Sequence, residues 1–333
     1  MALIDDILQY GTVAIAGLEK NTGKTECVNY LIRQLSRRPI KAAITSIGMD
    51  GEETDQVAGT DKPTIELPTG FVFATSEKHF KERKLDAEIL DVSPWRTATG
   101  RMVTARVVHP GQIILSGPVQ TTWMKELVGQ FKASHGCDIV LIDGALSRTS
   151  QAAPQIADGM ILCTGAALSA NMRQVVKQTA HICSLIGLEV ATQATAAATD
   201  HLGRGVWTIN SLNEPTLLIP GNQDMAEVDF SKQEGACFYV AGALTDRLVK
   251  HFLQTVHHPI ELIVHDFTKI FASNEILQLF TNKGNKLIVL KKNHLIGVCI
   301  NPWSPQGYHF DAGQFEKAMA KAIEAPVYNI RNL

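Results

Sequence analysis

Short hydrophobic runs alternate along the chain with segments in which apolar residues follow helical spacing. The run TVAIA (12–16) precedes a segment whose apolar residues share one helical face, namely Cys27, Val28, Leu31, Ile32 and Leu35. Pro39 ends that helix, and IKAAITSI (40–47) is typical of the next buried strand. Buried strands separated by amphipathic helices predict βαβ units.

The same alternation continues through the first half of the chain. Further strands are predicted at 112–117, 138–143 and 159–165, and helices at 121–133 and 171–186. Connections between the parallel strands are expected to be right-handed. The predicted fold class is therefore α/β, with a mostly parallel sheet that is flanked by helices.

Two segments depart from this rhythm and define the expected domains. Residues 60–112 hold several prolines and strand-like fragments. We interpret them as an insertion in the connections of the sheet, which forms a β-ribbon over the functional site. Residues 191–235 are small, polar and turn-rich, which is typical of a connector. Alternation resumes over 236–333. The sequence thus predicts a first α/β domain over 1–190, a connector, and a second, smaller α/β module.

Composition and charge limit the classes of partner. Hydrophobic residues make up 45% of the 333 residues and charged residues 19%, which is ordinary for a globular chain with a sizeable core. The 31 basic and 33 acidic residues nearly balance. No general attraction to nucleic acid or to an anionic membrane is therefore expected.

Localisation and cysteine chemistry are also constrained. Asp5 and Asp6 stand where a signal peptide requires basic residues, and no run of about eighteen apolar residues predicts a membrane helix. The six cysteines form no CxxC pair and lie mostly in apolar segments. We expect a cytoplasmic protein with reduced, buried thiols rather than disulfides or a zinc site.

The most specific motif is GLEKNTGKT, which runs from Gly17 to Thr25 between a predicted strand and a predicted helix. Glycines permit tight turns in which successive N–H groups point inward and bind phosphate oxygens. The helix N-terminus adds a partial positive charge. Lys24 can reach the β- and γ-phosphates of a nucleotide, and the Thr25 hydroxyl can bind Mg²⁺. A plain strand–helix turn is the alternative interpretation.

Five residues separate Gly17 from Gly23, one more than in the common phosphate loop. This G-x5-G-K-T spacing resembles the loop of dethiobiotin synthetase and of the cobyrinic acid synthase relatives. These proteins form a branch of the P-loop NTPases that includes the nitrogenase iron protein and the septum-site ATPases. The branch often carries an additional lysine early in the loop. Lys20 lies one residue nearer to Lys24 than that lysine, and is either its counterpart or an exposed charge.

Two acidic residues are the candidates for binding magnesium. The strand DIVLID (138–143) ends at Asp143, at the edge where open α/β sheets bind ligands, and its carboxylate can hold Mg²⁺ through a water beside Thr25. In the resembling branch the second strand leads into a switch-like loop, which implies for Asp50 a second magnesium contact or the orientation of water. A strand-end cap and an acidic surface turn are the respective alternatives.

These interpretations define the predicted site. Lys24 and Asp50 are the predicted catalytic residues, and Thr25, Asp50 and Asp143 are the predicted metal ligands. The predicted nucleotide contacts are Gly17, Glu19, Lys20, Asn21, Thr22, Gly23, Lys24, Thr25 and Glu26. ATP or another nucleoside triphosphate and Mg²⁺ are the expected cofactors. The loops 116–122 and 163–173 are further candidates to contact substrate or nucleobase, although helix capping needs the same residue types.

Four stretches together resemble a narrower group: TVAIAGLEKNTGKTE, TSIGMDGE, LIDGALSR and CINPWSPQGYHFD. They are similar to the P-loop subunits of reactivating factors for lysine 5,6-aminomutase, an enzyme that uses adenosylcobalamin and pyridoxal phosphate. The resemblance implies a subunit of low intrinsic hydrolysis rate, which uses the nucleotide to drive the exchange of damaged cobalamin. Its implied protein partners are a larger ATPase subunit and the aminomutase.

Two other functions stay open. A dethiobiotin synthetase-like ligase would transfer the γ-phosphate to a small carboxylate or carbamate, and it needs a pocket near residues 116–122 or Asp50. A nucleotide-binding scaffold would bind the nucleotide without hydrolysing it. Because no nucleophile or acid–base pair is evident beside the loop, we expect a protein to dock on the C-terminal module, where Trp303 and Tyr308 lie in a turn-rich segment.

Overall fold

The computed structural model describes residues 3–47, 65–145, 156–221, 230 and 237–329. The chain forms two compact units. The larger unit comprises Met1–Ala180 and His294–Leu333, and the smaller unit comprises His181–Asn293. Each unit is built on a sheet of its own, and strands and helices are numbered below along the whole chain.

The larger unit contains ten strands in one sheet, within the residues that the structure describes. Their bounds are β1 Thr12–Gly17, β2 Ala42–Ser46, β3 Ile65–Leu67, β4 Val72–Ser76, β5 Lys84–Thr97, β6 Gly100–Ile113, β7 Ile139–Ala145, β8 Gly159–Gly165, β14 His294–Asn301 and β15 Val327–Asn329. Across the sheet the order is β15-β14-β8-β1-β7-β2-β4-β6-β3, and β5 also pairs with β6.

Strand directions divide this sheet into two parts. From β15 to β4, every neighbouring pair is parallel. The strands β3, β4 and β5 each pair with β6 in the antiparallel direction. The helices along the same stretches of chain are α1 Leu3–Ile7, α2 Lys24–Ser36, α3 Glu77–Lys81, α4 Thr121–Ala133, α5 Met172–Ile186 and α9 Ala312–Ala322. The predicted α/β class, with a mostly parallel sheet flanked by helices, is confirmed.

The central strand β1 shows why the sequence folds in this way. All six of its residues are buried, as expected where helices cover both faces of a parallel sheet. Helix α2 then buries the face that its spacing predicts, which includes Cys27 and Leu31. These side chains share one hydrophobic cluster with Ile15 of β1 and Leu141 of β7, and this packing holds α2 on that face of the sheet.

The segment 60–112 differs from its prediction. Strand β4 pairs with β2, and the long hairpin of β5 and β6 continues the sheet beyond β4. The described residues of this segment are therefore outer strands of the main sheet rather than an insertion with a ribbon over the site. Phe71 and Phe73 explain the difference, because both are buried in the cluster that α2 also covers. The strand predicted at 112–117 is only the end of β6, which stops at Ile113.

The C-terminal boundary also differs from its prediction. Strand β14 pairs in parallel with β8, and β15 pairs with β14. Residues 294–333 therefore belong to the larger unit, and the second unit begins near residue 181 rather than at 236. Hydrophobic periodicity identifies β14 as a buried strand, but it carries no information about which existing strand edge β14 will join.

The smaller unit is also built from helices and a partly parallel sheet. Its described strands follow the order β10-β9-β11-β12-β13, in which β11, β12 and β13 are parallel. Their bounds are β9 Gly205–Ile209, β10 Pro215–Pro220, β11 Cys237–Ala241, β12 Glu261–Val264 and β13 Lys286–Val289, with helices α6 Gln193–Thr199, α7 Asp246–Thr255 and α8 Asn274–Asn282. The segment that was expected to be a connector supplies α6, β9 and β10.

Candidate functional site

The backbone between β1 and α2 turns through two left-handed residues. Asn21 has φ 63° and Gly23 has φ 86°, with Thr22 between them. Left-handed residues in such a turn can direct successive N–H groups toward one point, which creates a concave anion site. Thr22 is buried, and its hydroxyl donates a 2.9 Å hydrogen bond to the carbonyl of Glu19, which stabilises the loop.

Both glycines of the motif are required by close approaches. A Cβ atom at Gly17 would lie 2.8 Å from Thr22 Oγ1, and one at Gly23 would lie 3.1 Å from Asn301 Cβ. Helix α2 begins at Lys24, and no side chain caps it from Gly23. Its first N–H groups have no partner within the helix, and they carry the positive end of the helix dipole. The loop and the helix start together favour an anion.

Lys24 forms an ion pair at this position. Its Nζ lies 2.7 Å from Oδ1 of Asp143, with 26% and 16% of the respective side chains exposed. Asp143 is located in β7, the strand beside β1. Its backbone carbonyl accepts hydrogen bonds from the Ser46 hydroxyl at 3.1 Å and the Ile47 N–H at 2.9 Å, which fix the end of β7 against β2. The structure thus brings together the predicted lysine and the predicted aspartate.

The remaining predicted residues fall into two groups. Thr25 follows Lys24 in the first turn of α2 and is partly buried, whereas the other loop residues are exposed, namely Glu19, Lys20, Asn21 and Glu26. Asp50, which is a predicted catalytic residue and metal ligand, lies outside the described residues.

Two segments that are distant in sequence contact the loop between β1 and α2. The Asn301 side-chain amide donates to the carbonyl of Asn21 at 3.4 Å, and the Leu18 N–H donates to the carbonyl of Cys163 at 2.9 Å. The chain after β8 is tied to the chain after β14, since the Tyr308 hydroxyl donates to the Ala166 carbonyl at 2.8 Å. The sequence indicated these two loops separately but gave no signal that they meet.

The aromatic segment after β14 belongs to this neighbourhood. Trp303 stacks on His309 with ring centroids 4.8 Å apart, and about half of its surface, 50%, is exposed. Tyr308 is held by its hydrogen bond to Ala166. The segment is therefore part of the larger unit and lies close to the loop, rather than on a separate C-terminal module as expected.

The start of the predicted substrate loop 116–122 is tightly packed. Ser116 is 2% exposed, and its hydroxyl lies 3.0 Å from His79 Nδ1 and 3.1 Å from Thr75 Oγ1. A Cβ atom at Gly117 would overlap the carbonyl oxygen of Ser46, at 1.7 Å. Residues 116 and 117 therefore pack against β2, β4 and α3.

Three cysteines form a buried cluster in the larger unit, and no sequence motif indicated it. The sulfurs of Cys27, Cys163 and Cys299 all lie within 4.8 Å of one another, and all three residues are buried. Hydrogen bonds from the thiols of Cys27 and Cys299 lower the pKa of Cys163 below its ordinary value, against the opposing effect of burial. The three residues are too far apart in sequence for any spacing rule to detect them.

The smaller unit contains a charged cluster of its own. His265 Nδ1 lies 2.7 Å from Oδ2 of Asp266, and Nε2 lies 3.4 Å from Oδ1 of Asp200. Lys291 Nζ lies 2.9 Å from the other oxygen of Asp200. The group sits where β12 and β13 end, and Asp200 and Lys291 line a cleft of 370 Å³.

The carboxylates of this cluster are stabilised in their ionised form. A hydrogen bond from Lys291 is the main cause that holds the pKa of Asp200 below its ordinary value. Burial is the largest single influence on Asp266 and opposes ionisation, but hydrogen bonds from His265 and Thr268 outweigh it, so its pKa also lies below the ordinary value. The cluster therefore contributes to stability in the charged state.

No significant similarity was found between this chain and any protein-family model, curated protein or solved structure. None of the described helices combines the length and the apolar character needed to cross a membrane. The geometry of the loop and its neighbours is therefore the basis for a functional assignment.

We predict that Asp266→Asn destabilises the protein in a pH-dependent way. At pH 7 the variant should lose about 1–3 kcal/mol of unfolding free energy, because a buried, hydrogen-bonded charge is removed. Since the folded pKa is depressed, this stabilisation is complete above the ordinary aspartate pKa and is lost as the pH falls through the folded pKa. The difference from wild type should therefore narrow below about pH 4.

Denaturant unfolding between pH 3 and pH 8 measures this difference. Asp86→Asn, at an exposed carboxylate, is the matched control and should leave stability nearly unchanged throughout. A constant gap between Asp266→Asn and wild type across the whole range would contradict the assigned role of the charge.

Proposed function

We propose that the chain binds a nucleoside triphosphate with Mg²⁺ at the loop between β1 and α2, as a P-loop NTPase does. The observation that carries this proposal is the convergence of the left-handed loop and the uncapped start of α2 with Lys24 and Asp143. A loop and a helix N-terminus alone would accept many anions. The lysine and the aspartate add the two charges that a triphosphate and its magnesium require.

In this proposal Lys24 changes partner when the nucleotide binds. The backbone N–H groups of the loop donate to phosphate oxygens, and the ammonium group of Lys24 turns from Asp143 to the phosphates. Asp143 and the Thr25 hydroxyl would then hold Mg²⁺, which supplies positive charge to the phosphate oxygens. The exchange is feasible without unfolding because both side chains of the ion pair are partly exposed.

The nucleoside is proposed to lie against the loops that follow β8 and β14. Three contacts support this location: Asn301 touches the phosphate loop at Asn21, Leu18 bonds to the end of β8, and Tyr308 joins the two flanking loops. The carboxyl ends of parallel strands are where open α/β sheets bind ligands. The exposed ring of Trp303 adds an apolar surface in this region.

We further propose that a protein partner reads the nucleotide state, as the resemblance to the aminomutase reactivating factors implies. Asn301 contacts the phosphate loop, and Trp303 lies two residues further along the same segment with half of its surface exposed. A change at the loop can therefore alter a surface that is suited to an interface anchor. The partners would be a larger ATPase subunit and a cobalamin-dependent aminomutase.

The ligase alternative requires a pocket near residues 116–122 or Asp50; Ser116 and Gly117 are tightly packed, and Asp50 lies outside the described residues. A hydrolysis assay separates the two functions. The reactivase function predicts slow hydrolysis by the chain alone and faster hydrolysis with the ATPase subunit and the inactivated aminomutase. Phosphorylation of a small carboxylate by the isolated chain at about 1 per second or faster would favour the ligase instead.

We predict that Lys24→Ala weakens nucleoside-triphosphate binding by at least about tenfold. Hydrogen bonds to charged groups are worth about 1.5–3 kcal/mol, and the variant removes the principal cation of the loop. Isothermal titration calorimetry with ATP and GTP in the presence of Mg²⁺ measures the effect. Lys81→Ala, at an exposed position on α3, is the control and should bind as wild type does. Equal affinity in Lys24→Ala, with normal thermal unfolding, would refute the phosphate-loop assignment.

We predict that Asp143→Asn abolishes most of the gain in nucleotide affinity that Mg²⁺ provides to wild type. The amide keeps the shape of the carboxylate but lacks the charge that attracts the metal. It also releases Lys24 from its ion pair, so affinity measured without Mg²⁺ should be unchanged or higher.

Paired titrations with Mg²⁺ and with EDTA measure both effects. Asp138→Asn, at the start of the same chain segment, is the control. If Mg²⁺ raises the nucleotide affinity of Asp143→Asn as much as that of wild type, Asp143 does not bind the metal. The role of the loop would still be tested separately by Lys24→Ala.

A further inference from the structure

Three cysteines from three separate elements converge on one face of the main sheet. Cys163 and Cys299 are direct partners in the register of β8 and β14. Residues paired in this way project their side chains from the same face of a parallel sheet. Cys27 comes from the first turn of α2, which packs on that face, and all three belong to one buried cluster. The convergence is a product of the fold rather than of any local motif.

The separations among the sulfurs suit a single metal ion. All three Sγ atoms lie within 4.8 Å of one another, and those of Cys27 and Cys299 are 3.5 Å apart. Three sulfurs that surround one ion at about 2.3 Å in a plane are about 4 Å from each other. Only small side-chain adjustments are therefore needed to bring the three thiolates to bonding distance.

The donor set determines which class of ion fits. Thiolates prefer soft ions such as Cu(I) and Zn²⁺, whereas Mg²⁺ and Ca²⁺ prefer oxygen. Zn²⁺ generally takes four ligands. Among the described residues, no histidine, aspartate, glutamate or further cysteine joins the three sulfurs. A three-sulfur set matches the trigonal coordination that Cu(I) accepts.

The position of Cys27 favours a thiolate in this buried cluster. Cys27 lies in the first turn of α2, where the helix dipole is positive. Thiolates form when a metal displaces the thiol protons. The other three cysteines of the chain, Cys137, Cys183 and Cys237, are not part of this cluster.

We propose that Cys27, Cys163 and Cys299 form a binding site for one soft, thiophilic metal ion, with Cu(I) as the best match. Binding replaces three S–H bonds by three metal–sulfur bonds, releases three protons and involves no change of oxidation state. The ion would join α2 to β8 and β14. The site does not depend on the proposed nucleotide function, and its test uses no nucleotide.

The test is a titration of the reduced, full-length protein with Cu(I) under anaerobic conditions. Bathocuproine disulfonate competes for the ion and reports the amount bound. Wild type should bind one Cu(I) per chain and unfold at a higher temperature when loaded. Cys163→Ala and Cys299→Ala should each weaken binding by at least about 100-fold, because even outer-shell changes cost about 10- to 100-fold. Cys137→Ala removes a buried cysteine outside the cluster and should bind as wild type does.

X-ray absorption on loaded wild type keeps the proposal testable even if a cluster variant fails to fold. Three sulfur neighbours at about 2.3 Å would support it. Two sulfur neighbours, or nitrogen and oxygen neighbours, would overturn it. The proposal also fails if wild type binds no Cu(I) in competition, or if folded Cys163→Ala and Cys299→Ala bind as tightly as Cys137→Ala.

Discussion

The parallel pairing of β1 with β7 on one side and with β8 on the other is the interaction on which the candidate site depends. The register places Gly17, the first residue of the loop, opposite Ala145 of β7 and Cys163 of β8. Because parallel strands end at the same edge of the sheet, the carboxyl ends of three strands from distant parts of the sequence meet there. The pairing of β14 with β8 adds Asn301 to the same edge.

Charge balance is the second constraint on this edge. An unpaired lysine or aspartate that is withdrawn from water is costly, and Lys24 and Asp143 relieve this cost by pairing at 2.7 Å. The two side chains can also exchange partners, because the cost of removing both charges from water offsets much of their mutual attraction. In the proposed function the phosphates take the lysine and the metal takes the carboxylate, so that each charge keeps a partner.

Several local features could be predicted from the sequence because they depend on neighbouring residues. Helix α4 has the predicted bounds, Thr121–Ala133, and α2 buries the predicted face. The motif from Gly17 to Thr25 lies between a strand and a helix, as expected. The status of Asp50 stays a prediction, because it lies outside the described residues. The placement of 60–112 and of the C-terminal segment was wrong, since both depend on which strand edges pair.

The sequence by itself determined the α/β alternation, the class of the main sheet and the residues with the chemistry to bind a phosphate. These follow from hydrophobic periodicity and from backbone requirements within a few residues. Only the tertiary structure decided that β14 returns to β8, that Lys24 meets Asp143, and that three scattered cysteines share one buried position. The physical reason is that strand pairing and side-chain packing act between residues far apart in the chain, where local patterns contain no information about the partner.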